Sequence, residues 1–307
     1  MPLDLSHLGG WYDGTDLAFG DGGHRIVGAT LPTFQDAAPG LMLATEPPKP
    51  ILLYKAFKQV LGHYPPYKRQ EIGSCVGHGH AHANDCQQVI EIAFGEPSEF
   101  RETSAEFVYA LSRQVGGILG PFDGSYGSAA VKAMVTVGIA SREMLGPDGV
   151  DSGTLAKRWG WSGPPSKYVE MARQFKLGGA AKITSIPAAV SALWNGHVIT
   201  ICSNQGFTMT RDDEGYCAGQ GHWGHCMHIT GYDPGFNRQK KRRFLIVQSW
   251  GENTPSGPVY MDQPNYSFWA DAELVERNIF GADDSWTLIK SPDFVKRKMP
   301  KAWSQAA

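Results

Sequence analysis

The tripeptide Gly73-Ser74-Cys75 constrains the fold more than any other stretch, because it opens a run, Ser74 to Ala93, that reads as an apolar helix. A cysteine in the first turn of a helix faces unpaired backbone N–H groups and the positive end of the macrodipole. Both favour the thiolate, the form that attacks carbonyl carbon. Such a thiol needs a base brought from elsewhere in the chain. Downstream, Gly224-His225-Cys226-Met227-His228-Ile229-Thr230-Gly231-Tyr232 supplies a histidine at the start of a strand pattern, and Gln248-Ser249-Trp250-Gly251 ends the next strand pattern.

At 307 residues the chain can bury a large core, and a formal net charge of −2 gives no electrostatic case for nucleic acid or an anionic membrane. No apolar run approaches the ~20 residues of a membrane span, and Met1-Pro2-Leu3-Asp4-Leu5 lacks a signal-peptide pattern. The expectation is a soluble protein made in the cytoplasm, with peptides, proteins or small molecules as partners. The five cysteines, Cys75, Cys86, Cys202, Cys217 and Cys226, are odd in number and lack zinc-type spacing, so they read as thiols. His78 and His82 share a helix face, but no acidic residue stands between them, and no metal is expected.

Along the chain, residues 1–50 are rich in Gly, Asp and Pro and favour irregular structure. Ile51 to Leu61 has helical spacing, stopped by Pro65-Pro66. Gly77 and Gly79 each cost the Ser74–Ala93 helix about 1 kcal/mol against Ala, so tight packing against the other half of the protein is expected there. Phe100 to Leu111 and Ala129 to Val137 follow as helices, and residues 145–167 read as a crossing between two halves. Thereafter strands dominate: Ala181 to Thr184, His197 to Cys202, Met227 to Tyr232 and Arg243 to Ser249, followed by the Tyr260 and Ser267 to Ala270 stretches. A helix from Ile186 to Trp194, a last helix from Asp271 to Arg277 and a polar tail from Lys290 complete the reading. Helices first and strands second is the segregated α+β arrangement.

The nucleophile helix, the His225 strand and the Ser-Trp-Gly element, in that order over roughly residues 65–290, resemble the papain-like cysteine peptidases. The resemblance implies a two-lobed fold, a helical lobe plus an antiparallel β-barrel-like lobe with the active-site cleft between them. Its parts are an N-terminal extension (1–64), a helical lobe carrying the nucleophile (65–165), a β-rich lobe carrying the histidine (166–290) and a C-terminal tail (291–307). Many secreted relatives have a second cysteine three positions before the nucleophile. Here that position is Ile72, which points to a reducing compartment and a bacterial or phage-type branch, with a virion component as one setting. The extension lacks a long amphipathic helix and does not resemble the helical inhibitory pro-segment of eukaryotic relatives. A wrapped extension or an arm for an assembly partner is expected instead.

By the same resemblance Cys75 is the nucleophile. His225, about 150 residues downstream and six before Gly231-Tyr232, is the base, in preference to His222 and His228. Cys86, deep in the helix, is the weaker nucleophile candidate. Gln248 stands where relatives have an Asn that orients the imidazole, offering the same carboxamide on a longer stem. Trp250, beside Ser249, covers that contact. The oxyanion hole combines the Cys75 N–H with a side-chain amide, for which Gln70 is preferred to Arg69 because a neutral donor preserves the thiolate–imidazolium balance. Gly124 and Tyr126 fall in the loop that, in relatives, pairs with extended substrate backbone. The expected function is amide-bond hydrolysis through an acyl-enzyme on Cys75, without a cofactor, on a peptide or protein substrate. The alternatives are transfer to an amine, and a catalytically weak or inactive papain-fold binding protein of a bacterial or phage assembly.

Overall fold

The computed structural model describes residues 8–13 and 31–305, apart from 67, 97, 151, 252, 291 and 292. Helix α1 (Phe34–Ala37) leads to strand β1 (Ile51–Leu52) and helix α2 (Lys55–Leu61). The stretch from Ile51 to Leu61, expected as one helix, is therefore split. Its first two residues pair with a later strand instead, Ile51 facing Tyr232 and Leu52 facing Gly231.

The helix α3 (Cys75–Ala93) is the axis of the molecule. All of its first seventeen residues, Cys75 to Glu91, are buried, which a helix tolerates only when its polar side chains find partners. They do: Asp85 accepts from the Thr103 N–H at 2.8 Å and pairs with Lys68 at 3.0 Å, and Gln87 donates to the Gly196 carbonyl at 3.2 Å. The two glycines lie at close approaches. A Cβ on Gly77 would come within 2.4 Å of the Ala105 carbonyl, and one on Gly79 within 2.8 Å of Cys226 Sγ. Only Gly79 meets the other half of the protein; Gly77 admits the neighbouring helix α4 (Ala105–Val115).

Helix α4 starts later than its apolar spacing suggests because the Ser104 hydroxyl caps it, accepting from the Phe107 N–H. Helix α5 (Gly127–Thr136) packs beside it, and α6 (Arg142–Leu145), α7 (Gly153–Ser162) and α8 (Ser166–Ala172) enclose its far side through Trp159 and Tyr168. Residues 145–167 thus hold helices of this layer, and the expected crossing is corrected accordingly. After β2 (Gly179–Lys182), α9 (Ile186–Trp194) is capped by the Ser185 hydroxyl.

The remaining strands are β3 (Ile199–Phe207), β4 (Gly219–Asp233), β5 (Arg243–Val247), β6 (Ser267–Asp271) and β7 (Ser285–Ile289), with α10 (Ala272–Asn278) between the last two. They form one antiparallel sheet in the order β2-β7-β3-β4-β5-β6, with β1 added to β4. The sheet stays open at β2 and β6, so the barrel-like lobe is corrected to an open sheet within the same α+β fold. The expected polar tail also docks. Trp303 is buried edge-on to Phe94 and donates to Gln59, while Arg297 binds Glu96 at 2.5 Å. Among the described residues no helix is long and apolar enough to cross a membrane.

Candidate active site

Helix α3 and strand β4 meet at the cleft between the helical layer and the sheet, bringing Cys75 beside the residues that precede and follow His225. Cys75 is the first residue of α3 and is fully buried, its thiol directed at the Gly224 carbonyl 3.8 Å away. His225 lies in β4, stacked on Trp250 with ring centroids 4.3 Å apart and planes at 28°. Trp223 packs against the same indole at 4.7 Å. His222 sits on the exposed outer half of β4. His228 packs edge-on to His82 at 5.7 Å, about two turns along α3 from Cys75.

Gln70 and Ser249 are tied together. The Ser249 hydroxyl donates to Gln70 Oε1 at 2.8 Å, and the Gln70 N–H donates to the Ser249 carbonyl at 3.2 Å. This orients the Gln70 amide, whose nitrogen also donates to the Ile72 carbonyl at 3.1 Å, while Arg69 bridges Trp250 through its backbone and lays its side chain against Gly251. Of the two alternatives, Gln70 is the one whose donor enters the cleft.

The cleft is filled by the chain's own N-terminal segment, Leu8 to Tyr12. Gln70 Nε2 donates to the Leu8 carbonyl at 2.7 Å. The N–H groups of Gly10 and Trp11 both donate to the Gly224 carbonyl, at 2.8 and 3.0 Å. The Ser125 N–H donates to the Gly10 carbonyl at 2.8 Å and the Ser125 carbonyl accepts from the Tyr12 N–H at 3.0 Å, a parallel bridge at Trp11. A Cβ on Gly10 would lie 1.9 Å from the Gly73 carbonyl, so only glycine lets the segment come this close to the nucleophile loop. The Tyr12 ring lies over Gly124 and 5.6 Å from the Tyr126 ring, and its hydroxyl donates to the Asp123 carbonyl. The loop expected to pair with extended peptide thus pairs with this segment. The part of the extension that is described packs over the fold, one of the two placements expected of it, and its occupation of the cleft goes beyond either. The signal was small: Gly9-Gly10-Trp11 is a flexible pair followed by one anchor, and nothing marks its destination.

The electrostatics are those of a neutral pair. Burial pushes the Cys75 thiol far above its ordinary range, and the nearby Cys226 adds to that. Burial also pushes His225 down to about 3, with His78 contributing. Neither ring nitrogen of His225 has a hydrogen-bond partner among the described residues, and neither does the Gln248 carboxamide or Trp250 Nε1. Each such buried group costs about 1–3 kcal/mol. Both shifts favour the neutral thiol and the neutral imidazole while the two groups are buried, and among the described residues Gln248 makes no hydrogen bond to the ring.

Beneath Trp11 lies a second polar group. Its indole N–H donates to Asp284 Oδ2 at 2.8 Å, and Asp284 also accepts from Gly127 N–H at 2.9 Å and from Trp286 Nε1 at 2.6 Å. Beside it, Cys226 contacts His80 Nδ1 at 3.7 Å and faces Cys202 across β3 and β4. Burial opposes a charge on Cys226, but the bonds to Cys202 and His80 hold its thiol below the ordinary range. All five cysteines are free and buried. Among the described residues no three His, Cys, Asp or Glu side chains converge as a metal site.

No family model and no curated protein matches the sequence. Solved structures do match. Xylellain, a cysteine protease from Xylella fastidiosa, superposes with a TM-score of 0.64 over 93% of this chain and 97% of its own, at 17% identity. Procathepsin B S9 from Trypanosoma congolense gives 0.56 over 93% and 86%, at 11% identity. Digestive procathepsin L 3 of Tenebrio molitor gives 0.51 over 81% and 72%, at 13% identity. With helices α3 and α4 on one side of the cleft, the open antiparallel sheet on the other, and these cysteine proteases superposing across both, the chain has the papain-like fold.

Proposed function

We propose that this chain is a papain-like cysteine peptidase held latent by its own N-terminal segment. The observation that carries the reading is the seating of Leu8 to Tyr12 over Cys75, with the Leu8 carbonyl on Gln70 and the Gly10 and Trp11 N–H groups on the Gly224 carbonyl. A cleft that binds peptide backbone in this way, beside a helix-terminal thiol and a buried histidine, suits amide hydrolysis. With the segment displaced, water and substrate reach the site, and desolvation no longer disfavours the ion pair. His225 then takes the Cys75 proton, and the thiolate attacks the amide carbonyl. The oxyanion is held by the Gln70 amide and the Cys75 N–H, and His225 returns the proton to the leaving amine. Water attacks the acyl-enzyme to regenerate the thiol. Gln248 accepts the second imidazole N–H, and Trp250 shields that bond.

Ile72, in the place of a bridging cysteine, and five free thiols favour a reducing compartment and the bacterial or phage-type branch. A second reading, an inactive papain-fold binding protein, is favoured by the unpartnered Gln248 amide. Cleavage assays on a Trp11→Ala variant separate the two. Hydrolysis of a casein substrate that is lost in Trp11→Ala/Cys75→Ala supports the peptidase, and its absence in Trp11→Ala supports the binding protein.

A further inference from the structure

Cys202 and Cys226 stand opposite each other on β3 and β4, and the amide-hydrolysis mechanism uses neither. The kind of pair they form follows from the backbone. The Cys202 N–H donates to the Asp284 carbonyl at 3.1 Å, on the β7 side of β3. Because the N–H and C=O of one residue point to the same side of an antiparallel strand, Cys202 has neither left for β4 and faces Cys226 as a non-hydrogen-bonded pair. In such pairs the Cα atoms are about 4.5 Å apart and the side chains lie closest, and a disulfide needs about 4.4–6.8 Å. Opposed residues share a face of the sheet, and two helices leave room for the sulfurs there. A Cβ on Gly79 of α3 would lie 2.8 Å from Cys226 Sγ, and one on Gly127 of α5 would lie 2.8 Å from Cys202 Sγ. The two sulfurs are also unlike. Burial opposes a charge on both, but the bonds to Cys202 and to His80, whose Nδ1 is 3.7 Å away, hold the Cys226 thiol below its ordinary range, while burial pushes Cys202 up. A low thiol beside a high one supplies a nucleophile that reacts with an oxidant and a partner that resolves the product.

We infer that Cys202 and Cys226 are an oxidation site, a dithiol that a hydroperoxide converts to a reversible cross-strand disulfide beside the strand position of His225. The Cys226 thiolate attacks the O–O bond and becomes a sulfenic acid as the distal oxygen leaves as hydroxide or alkoxide. The Cys202 sulfur then attacks the sulfenic sulfur and expels its oxygen as water, with the Cys202 proton going to that water. The two thiols lose two electrons and two protons, and hydrogen peroxide is reduced to two waters. The oxidant enters by the seat of Trp11, because Gly127, which borders Cys202 Sγ, donates its N–H to the same Asp284 carboxylate that holds the indole. The new bond closes the loop from Ser203 to His225 and so restrains the unfolded chain around the expected base. This goes beyond the peptidase reading, and its test needs no cleavage.

The test uses the full chain carrying Trp11→Ala and Cys75→Ser, which opens that route and removes the competing thiol of the cleft. Folded protein is treated with hydrogen peroxide, the remaining thiols are blocked in denaturant with N-ethylmaleimide, and unreduced peptides are mapped by mass spectrometry. The peptide linked through Cys202 and Cys226 forms about tenfold faster than any oxidation product of the buried Cys86 and Cys217, and dithiothreitol reverses it. With Cys202→Ser added, Cys226 stops at the sulfenic acid, which dimedone captures. The urea midpoint of the linked form lies above that of the reduced form. Recovery of Cys202 and Cys226 as thiols once the exposed Met171 has become its sulfoxide, linkage of either to Cys86 or Cys217 at a similar rate, or a lower midpoint for the linked form overturns the proposal. Should the double variant fail to fold, the intact chain is treated in the same way for longer and gives the same link; a bond between Cys75 and Cys226 in its place overturns the proposal as well. None of these results depends on amide hydrolysis, so the failure of this inference and the failure of the peptidase reading are separate outcomes.

Discussion

The His225 imidazole lies on the Trp250 indole, with centroids 4.3 Å apart and ring planes 28° from parallel. Trp250 is buried between Trp223 and the histidine, so it both fills the core and covers one face of the expected base. Trp250→Ala removes a buried aromatic and leaves a cavity, which costs about 3–5 kcal/mol. Urea unfolding should show that loss, while Trp250→Phe keeps a stacked ring and loses much less. Equal midpoints for the two variants would mean that the indole is not packed as described.

Gly10 is the tightest point of the N-terminal segment. Because its missing Cβ would meet a backbone carbonyl at 1.9 Å, neither partner can move cheaply, and Gly10→Val should expel the segment from the cleft. Alkylation of Cys75 should accelerate about tenfold or more, corresponding to a loss of ~1.4 kcal/mol or more in closure. Unchanged alkylation would show that the segment does not limit access.

Acid should destabilise the closed protein. Burial holds His225, His228 and His197 at about 3, below the ordinary imidazole value, with His78, His80 and Arg297 respectively adding to the effect. The folded state keeps these rings neutral while the unfolded chain takes up protons below pH ~6.5, so stability is unaffected above that pH and declines as pH falls from ~6.5 towards 3. Between pH 6.5 and 4.5 each ring contributes as much as ~2–3 kcal/mol of loss. His228→Gln should flatten the urea-midpoint profile over this window. A profile identical to that of the parent would contradict the burial of a neutral ring there.

Gln248 carries a buried carboxamide with neither end partnered among the described residues in the closed state. Gln248→Leu, similar in volume, removes that penalty and should leave stability unchanged or raise it by about 1 kcal/mol. In a Trp11→Ala background the same change should lower cleavage by a factor of ten or more, about the effect of losing one orienting hydrogen bond. A large stability loss would show that the amide is bonded in the closed state after all.

Cys75 and His225 could be singled out in the sequence because each sits inside a patterned element; the structure puts Cys75 beside Gly224 and Cys226, the neighbours of His225. Cys75 opens a long buried helix, and His225, which the structure places in the middle of β4, stands at the start of the apolar run that leads to Gly231-Tyr232. Helix α9 has the expected bounds, Ile186 to Trp194, and the structure shows Ser185 capping it and Pro187 in its first turn. What escaped reading depends on contacts across the chain. Trp11 and Asp284 are 273 residues apart and neither lies in a periodic run that predicts the other. Trp303 stands in a basic, polar stretch, and its docking on Phe94 and Gln59 has no local signal. Residues 145–167 hold Gly, Pro and Trp, which suggested a crossing. Caps such as Ser152, which accepts from Leu155, and burial of Trp159 outweighed those breakers.

The central claim is that Cys75 is a peptidase nucleophile masked by the N-terminal segment. The direct test is iodoacetamide labelling from about pH 4 to 9, with the modified cysteine mapped by mass spectrometry, on the intact chain, on Trp11→Ala and on Trp11→Ala/His225→Ala. The account predicts slow labelling of Cys75 in the intact chain, fast labelling near pH 5 in Trp11→Ala, and loss of that acid-side reactivity without His225. If Cys75 in Trp11→Ala reacts only as the pH approaches ~8.5, as a free thiol does, no ion pair forms on opening and the peptidase reading is wrong.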